Sequence, residues 1–189
     1  MINRKYIIVL GITIIGYLTA CSGSNINATS NQKKSVAAGY CTQNGGTVET
    51  RYPFYGTNNP NPLQLAGSIQ VCTFTSKTDR SRIFVALDTL YTDQPTLAAI
   101  AYRSKPPLIP NKSGANPSSI YCTQLGGTDT FGGVNASGGG WAKDGAKDVI
   151  SMCVFPDLSS IDSWGLTYHS DGTVRGADLT SLFRYKPPS

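Results

Sequence analysis

Four cysteines with a regular spacing are the residues best suited to chemistry in this chain. Cys41 and Cys72 are 31 residues apart, and Cys122 and Cys153 have the same separation. A single histidine and the absence of a Cys-x-x-Cys motif argue against a metal site. We therefore predict two disulfides, Cys41–Cys72 and Cys122–Cys153, and no metal ligands.

The equal spacing belongs to a longer internal repeat. Residues 40–47 read Tyr-Cys-Thr-Gln-Asn-Gly-Gly-Thr, and residues 121–128 read Tyr-Cys-Thr-Gln-Leu-Gly-Gly-Thr, an offset of 81 residues. The same offset relates Lys-Pro-Pro at 105–107 to Lys-Pro-Pro at 186–188. Four cysteines permit three pairings. The repeat favours one bridge inside each copy, because each copy then folds as its ancestor did.

Other residue types give little indication of catalysis. His169 is the only histidine, and Asp171 beside it does not make a triad, because triads are not recognised by sequence proximity. Glu49 is the only glutamate, and the ten aspartates show no recognisable pairing for glycoside hydrolysis. There is no phosphate-binding glycine loop. We predict that the chain is not an enzyme and uses no cofactor.

The N-terminal segment is typical of an exported protein. A basic start at residues 3–5 precedes an apolar run at 6–18, which is shorter than the roughly 20 residues of a membrane-spanning helix. The Leu-Thr-Ala-Cys tetrad ending at Cys21 resembles the lipobox of bacterial lipoproteins. This resemblance implies cleavage before Cys21, attachment of a diacylglyceryl group to its sulfur and, with Ser22 following, sorting to the outer membrane. Ordinary secretion is the alternative.

These features divide the chain into five segments. They are a signal peptide at 1–20, a lipidated flexible tether at 21–34, repeat domain 1 at 35–107, a linker at 108–114 and repeat domain 2 at 115–189. A single core is marginal in a repeat of about 72 residues, so a disulfide in each is expected. We predict that loss of the Cys122–Cys153 bridge unfolds only the second repeat.

Each repeat is expected to hold a short helix and a small antiparallel sheet, which makes the fold class α+β. In the second copy, Asn116 is a suitable N-cap for a helix at 117–125, and Gly126 is suited to end it. In the first copy, Ser35 takes the cap position and Gly45 the stop. Strands rich in β-branched residues should then carry the second cysteines, at 67–74 and 148–155.

The copies diverge most between their two cysteines. Here the first copy contains Tyr52, Phe54 and Tyr55, and the second contains Trp141. The segments are expected to be loops or hairpin ends, where aromatic residues often contact a partner. The alternative is that these side chains cover the small core of each repeat. We take the four residues as candidate interaction residues.

About fifty residues of the second copy resemble a family of small bacterial envelope domains. The shared positions are Asn116-Pro117, Cys122, Gly126-Gly127, Cys153 to Asp157, and Trp164. The family often carries a haemolysin label and has no established biochemical function. This chain has Leu158 where the family has glycine, and Ile161 where it often has cysteine, so the family's second bridge is absent here.

The net charge and the expected export signal together restrict the classes of function. The 16 Lys and Arg residues are scattered, and the net charge falls from +5 to about +3 without the signal peptide, so a nucleic-acid footprint is not indicated. We predict a non-enzymatic lipoprotein of the outer membrane, facing the periplasm or the cell surface. It would be an interaction subunit of an envelope assembly such as a secretion-system core complex. The alternative is a lipoprotein inhibitor or ligand-binding protein, for example of a lysozyme or protease.

Overall fold

The structure is a computed structural model that describes residues 25–110, 116–129 and 137–186, with side chains from residue 31 onward. The expected signal peptide and the expected lipid site at Cys21 lie outside the described residues. The helices are α1 Asn25–Gln43, α2 Leu87–Leu90, α3 Leu97–Ser104, α4 Pro117–Gln124 and α5 Ser163–Ser170. The strands are β1 Thr47–Tyr55, β2 Leu63–Gln64, β3 Ile69–Thr75, β4 Arg82–Ala86, β5 Thr128–Asp129, β6 Gly139–Lys143, β7 Lys147–Ile150, β8 Met152–Val154 and β9 Ser160–Asp162. These elements confirm the α+β class.

Helix α4 follows its predicted local signals. The Asn116 side chain accepts a hydrogen bond from the Ser118 N–H at 3.0 Å, and Pro117 occupies the first helical position. Gly126, just past the end of the helix, has a φ of 84°. Glycine adopts this left-handed conformation at no steric cost.

Helix α1 begins earlier than predicted. It starts at Asn25 rather than after Ser35, so residues 25–34 of the expected tether are helical. The side chains of residues 31–36 are all exposed, and the first buried residue is Ala37. Packing of the later turns nucleates the helix, and extending it backwards by one hydrogen bond per residue is then inexpensive. The composition of residues 25–34 therefore did not predict this extension of the helix.

The strands of both repeats form one curled antiparallel sheet. Its order is β5-β8-β9-β4-β3-β1-β6-β7, and β2 pairs with the far end of β1. Strands β4 and β9 meet in the middle, with Val85 opposite Ile161. Outward from this pair, β4-β3-β1 of the first repeat corresponds to β9-β8-β5 of the second. The two repeats are thus related by an approximate two-fold axis, as in a dimer with an isologous interface.

A second junction joins the repeats through strand β1. Residues Thr47 to Arg51 pair with β3, whereas Tyr52 to Tyr55 pair with β6 of the second repeat. The β6–β7 hairpin therefore extends the first repeat's part of the sheet. The repeats also share the main hydrophobic core, which contains Ala37, Phe74 and Leu90 from the first and Tyr121, Phe155 and Leu179 from the second.

Both predicted disulfides are confirmed. Cys41–Cys72 joins α1 to β3, and Cys122–Cys153 joins α4 to β8, each with a sequence separation of 31 residues. In each repeat, a helix is thereby attached to the sheet through a bridge that is fully buried.

The repeated Gly-Gly pair has a structural explanation. The first glycine, Gly45 or Gly126, has a positive φ and ends the helix. The second, Gly46 or Gly127, lies directly against the bridge, where a Cβ atom would collide with the sulfur of Cys72 or Cys153. Only glycine allows the chain to leave the helix so close to the disulfide.

The shared core changes the expected response to the loss of one bridge. In a Cys122→Ser, Cys153→Ser variant, we expect the free energy of unfolding to fall by about 2–4 kcal/mol. Both repeats should lose structure together, because β4 pairs with β9 and the repeats bury one core. Hydrogen exchange monitored by mass spectrometry measures α1 and α4 separately. The matched Cys41→Ser, Cys72→Ser variant should give the same global response, whereas selective opening of α4 and β8 would show independent repeats.

Candidate interaction surface

The four predicted aromatic residues come together on paired strands. Tyr52, Phe54 and Tyr55 lie on β1, and Trp141 lies on β6, directly opposite Pro53. They are in strands, whereas loops or hairpin ends were expected. The pairing joins residues about 90 positions apart, and no local pattern in the sequence reports a contact of that range.

Register separates these side chains between the two faces of the sheet. Directly opposed residues share a face, and successive residues alternate. Trp141, opposite Pro53, is on the same face as Tyr55, and Leu63 of β2 is directly opposite Tyr55. Leu65 follows two residues later, and its N–H donates to the Pro53 carbonyl at 2.8 Å. These four residues, Tyr55, Leu63, Leu65 and Trp141, are called the aromatic edge below.

Exposure distinguishes contact residues from core residues. Leu63 is 61% exposed and Tyr55 is 45% exposed. Trp141 is half-buried against the second hydrophobic cluster of Val71, Phe84, Ile150 and Met152. Phe54 is only 4% exposed and Tyr52 alternates to the other face, so the aromatic edge does not include them. For Phe54, the alternative of covering the core holds.

A buried arginine lies beside the aromatic edge, on the same face of the sheet. Arg51 is completely buried, and its guanidinium carbon lies 5.0 Å from the centre of the Phe84 ring. Its Nε donates to Glu49 Oε2 at 3.0 Å, and its Nη2 donates to Asp148 Oδ2 at 2.8 Å. It also donates to the Asp148 carbonyl. The interaction fixes the β6–β7 hairpin to β1.

Asp148 accepts hydrogen bonds from both arginines of this charge cluster. Arg82 of β4 donates to both of its carboxylate oxygens, at 2.6 and 2.8 Å, and Lys143 lies 3.6 Å away. Hydrogen bonds from Arg82 and then Arg51 hold the pKa of Asp148 well below its ordinary value. A charge pair buried without these partners would be costly. The cluster therefore holds β1, β4 and β7 in one register beside the exposed side chains.

The single histidine is a core residue. His169 is 4% exposed, its ring stacks on Tyr102 with centroids 4.0 Å apart, and its Nδ1 lies 3.3 Å from the Tyr102 hydroxyl. Burial lowers its pKa. Within the described part of the chain, no cluster of His, Cys, Asp or Glu side chains is suited to hold a metal ion.

Sequence reasoning missed one unusual carboxyl group. Asp162 ends β9 and accepts from the Trp164 N–H at 3.0 Å as the N-cap of α5. It lines a pocket of roughly 200 Å³ with Arg82, Arg175 and Trp164. Burial raises its pKa to about 6, although the N–H groups of Gly165 and Trp164 oppose this shift. A capping Asp before a helix is visible in a sequence, but its burial is not.

Comparisons with protein-family models, curated proteins and solved structures find no match to this chain. The resemblance to the haemolysin-labelled envelope domain therefore stays a prediction. None of the described helices is both long and apolar enough to cross a membrane.

Asp162 should make the stability depend on pH. Its folded-state pKa of about 6 lies above the ordinary 3.8, so the folded protein binds the proton more tightly than the unfolded chain. The free energy of unfolding should therefore fall as pH rises from about 4 to about 6, by roughly 2–3 kcal/mol. Asp162→Asn keeps a capping oxygen and should lose this fall, so that it exceeds the wild type in stability at pH 7. Urea denaturation across this pH range measures it.

Asp79→Asn is the matched control for this titration. The pKa of Asp79 is lowered to about 2 by hydrogen bonds from Ser76 and Ser81, so its carboxyl titrates below the window of interest. This variant should keep the wild-type decline between pH 4 and 6. If Asp162→Asn keeps the same decline, Asp162 is ionised in the folded protein at acidic pH and the assignment is wrong.

Proposed function

We propose that this chain is a non-enzymatic, lipid-anchored envelope protein that serves as an interaction subunit of an outer-membrane assembly, such as a secretion-system core complex. The observation that carries the proposal is the aromatic edge. Exposed apolar side chains grouped on one surface are typical of sites that bind other proteins. The lipid anchor itself is inferred from the sequence around Cys21.

The composition of the aromatic edge suits a protein partner. Tyrosine and tryptophan are enriched among residues that dominate binding energies, because they bury a large area and can still form hydrogen bonds. Here Tyr55 and Trp141 are accompanied by two exposed leucines. Strand β2 pairs only with β1 among the described residues, and its second edge is the position at which a partner strand would extend the sheet.

The rigidity of the support also favours binding. Buried Arg51 and its ion-pair partners Glu49 and Asp148 fix β1 to β7 of the β6–β7 hairpin before a binding partner is present. A preorganised surface loses less entropy on binding than a flexible loop does. An inhibitor that inserts residues 52–55 as a loop is less compatible with these observations, since the segment is paired with β6 and β2.

The lipid anchor is tested by Cys21→Ser. We expect this variant to leave the membrane fraction, because the acyl chains are the proposed attachment to the bilayer. Flotation of cell envelopes in a density gradient, followed by immunodetection, measures the distribution. Flotation of the variant to the same extent as the wild type would contradict a lipid anchor.

The aromatic edge is tested by Tyr55→Ala combined with Leu63→Ala. The native protein, purified from envelopes in mild detergent, should elute in a large complex with other envelope proteins at fixed ratios. The double variant should lose this complex, with a drop in affinity of at least about tenfold, since truncation of central aromatic residues commonly costs 2 kcal/mol or more.

A matched control is Val36→Ala combined with Ile109→Ala. These residues are 46% and 66% exposed. Val36 lies on α1, and the Ile109 N–H donates to Gln124 of α4; both helices pack on the main core, on the other face of β3 from the cluster that Trp141 contacts. This variant should retain the complex. Elution of the wild type as a lone particle would contradict the proposal and favour inhibition assays against secreted hydrolases. Phe54 is unsuitable for substitution because it is buried.

A further inference from the structure

The β8–β9 turn presents a leucine in a conformation that favours glycine. Leu158 has a φ of 64° and is 82% exposed. Its N–H donates to the Phe155 carbonyl at 2.8 Å, and the Phe155 N–H donates to the Ser159 carbonyl at 2.9 Å, so the tight turn requires this backbone. The left-handed conformation is unfavourable for a side chain with a Cβ atom. Leu158 gains almost no burial in return, so its side chain is presented to the surroundings of the fold.

Two more exposed apolar residues lie beside this turn. Leu97 is 42% exposed and Ile100 is 50% exposed, and they lie three residues apart on the same face of α3. The turn holds the start of α3 directly. Asp157 Oδ2 accepts from the Leu97 N–H at 2.8 Å, and Ser159 Oγ accepts from the Ala98 N–H at 3.0 Å. Leu97, Ile100 and Leu158 therefore form one rigidly positioned group, here called the apolar tip.

Basic side chains from α1 border the apolar tip. Lys33 and Lys34 line a cleft together with Leu158, Thr96 and Asp157, and Lys34 lines a second cleft beside Leu158. Both lysines are exposed, and neither forms a salt bridge within the described residues. Two acidic residues, Asp88 and Asp157, also line these clefts. Asp157 accepts a hydrogen bond from the Leu97 N–H at the start of α3. An anionic bilayer presents negatively charged headgroups above an apolar acyl region. Exposed apolar residues beside lysines without salt bridges are suited to contact both regions.

The chain also places these residues near the proposed anchor. Helix α1 begins four residues after Cys21, and Lys33 and Lys34 follow eight and nine residues later. At 1.5 Å per residue, this is roughly 12–14 Å along the helix. The four residues from Cys21 to Asn25 extend at most about 14 Å. The apolar tip is therefore within reach of the membrane that would hold Cys21.

We propose that the apolar tip inserts into the headgroup region of the bilayer while Lys33 and Lys34 contact lipid phosphates, so that the folded protein is seated on the membrane in one orientation. This inference rests on the proposed lipid anchor and adds a second, non-covalent membrane contact to it. A leucine at position 158 gives the bilayer an apolar contact that glycine does not provide.

Fluorescence quenching by lipid tests this contact. The full-length lipidated chain carrying Leu158→Trp is reconstituted into phosphatidylethanolamine–phosphatidylglycerol vesicles, with or without bromine atoms near the top of the acyl chains. We expect the emission contributed by the new tryptophan to shift to the blue and to be largely lost in brominated vesicles. Ile100→Trp is a second probe of the apolar tip and should behave in the same way.

Val174→Trp is the control for tryptophan at an exposed site away from the membrane. Val174 is 45% exposed and close to Gly176, whose N–H donates to Ser81 Oγ at 2.9 Å, just before the start of β4. The apolar tip lies beside the other end of β4, near Ala86. The emission of this variant should be quenched no more than that of the unsubstituted protein, whose Trp141 and Trp164 give the background.

The outcomes separate the apolar tip from the anchor. Vesicles that carry the protein but leave both the Leu158→Trp and Ile100→Trp probes unquenched would overturn the membrane contact and keep the anchor. Protection of these probes by a copurified protein instead of lipid would also overturn it. Failure of the unsubstituted protein to float with vesicles would reject the anchor itself. Lys33→Gln combined with Lys34→Gln should reduce the quenching of Leu158→Trp, and an unchanged signal would remove the lysines from the proposal.

Discussion

The attachment of a helix to a sheet strand through a buried disulfide is the constraint on which the rest of this structure depends. It occurs twice, at Cys41–Cys72 and Cys122–Cys153, with the same sequence separation. Each bridge requires a glycine against its sulfur atoms and a second glycine that ends the helix. The motif Cys-x-x-x-Gly-Gly is therefore a description of one local geometry, and the duplication preserved it in both copies.

The two copies are small, and they share one sheet and one hydrophobic core. Strand β4 pairs with β9 at the approximate two-fold axis, and β1 continues into a pairing with β6. The turn before β9 holds the start of α3 through Asp157 and Ser159. The Phe-Pro-Asp segment that resembles an envelope-domain motif thus has a structural role. A core shared in this way buries more apolar surface than two cores of half the size.

A small cluster of charged residues fixes the positions of several strands. Buried Arg51, with Glu49 and Asp148, fixes the strands that carry the aromatic edge. Such a cluster is weak evidence for stability, since desolvation offsets much of the attraction, but it selects one strand register. Leu158 of the apolar tip, by contrast, is exposed in the left-handed conformation that the β8–β9 turn requires. We propose that the folded domain uses two apolar surfaces, one to bind a protein and one to contact the bilayer.

The sequence alone determined the features that depend on short-range patterns or on the repeat: the α+β class, both disulfides, and the start and end of α4 at Asn116 and Gly126. It also predicted Tyr52, Phe54, Tyr55 and Trp141 as candidates for contact, of which the aromatic edge includes only Tyr55 and Trp141. Only the tertiary structure decided that the repeats share one sheet and one core, that Phe54 is buried, that α1 reaches back to Asn25, and that Asp162 is shielded from water. These features depend on pairing and burial between residues far apart in the chain, and such contacts leave no local pattern from which they can be predicted.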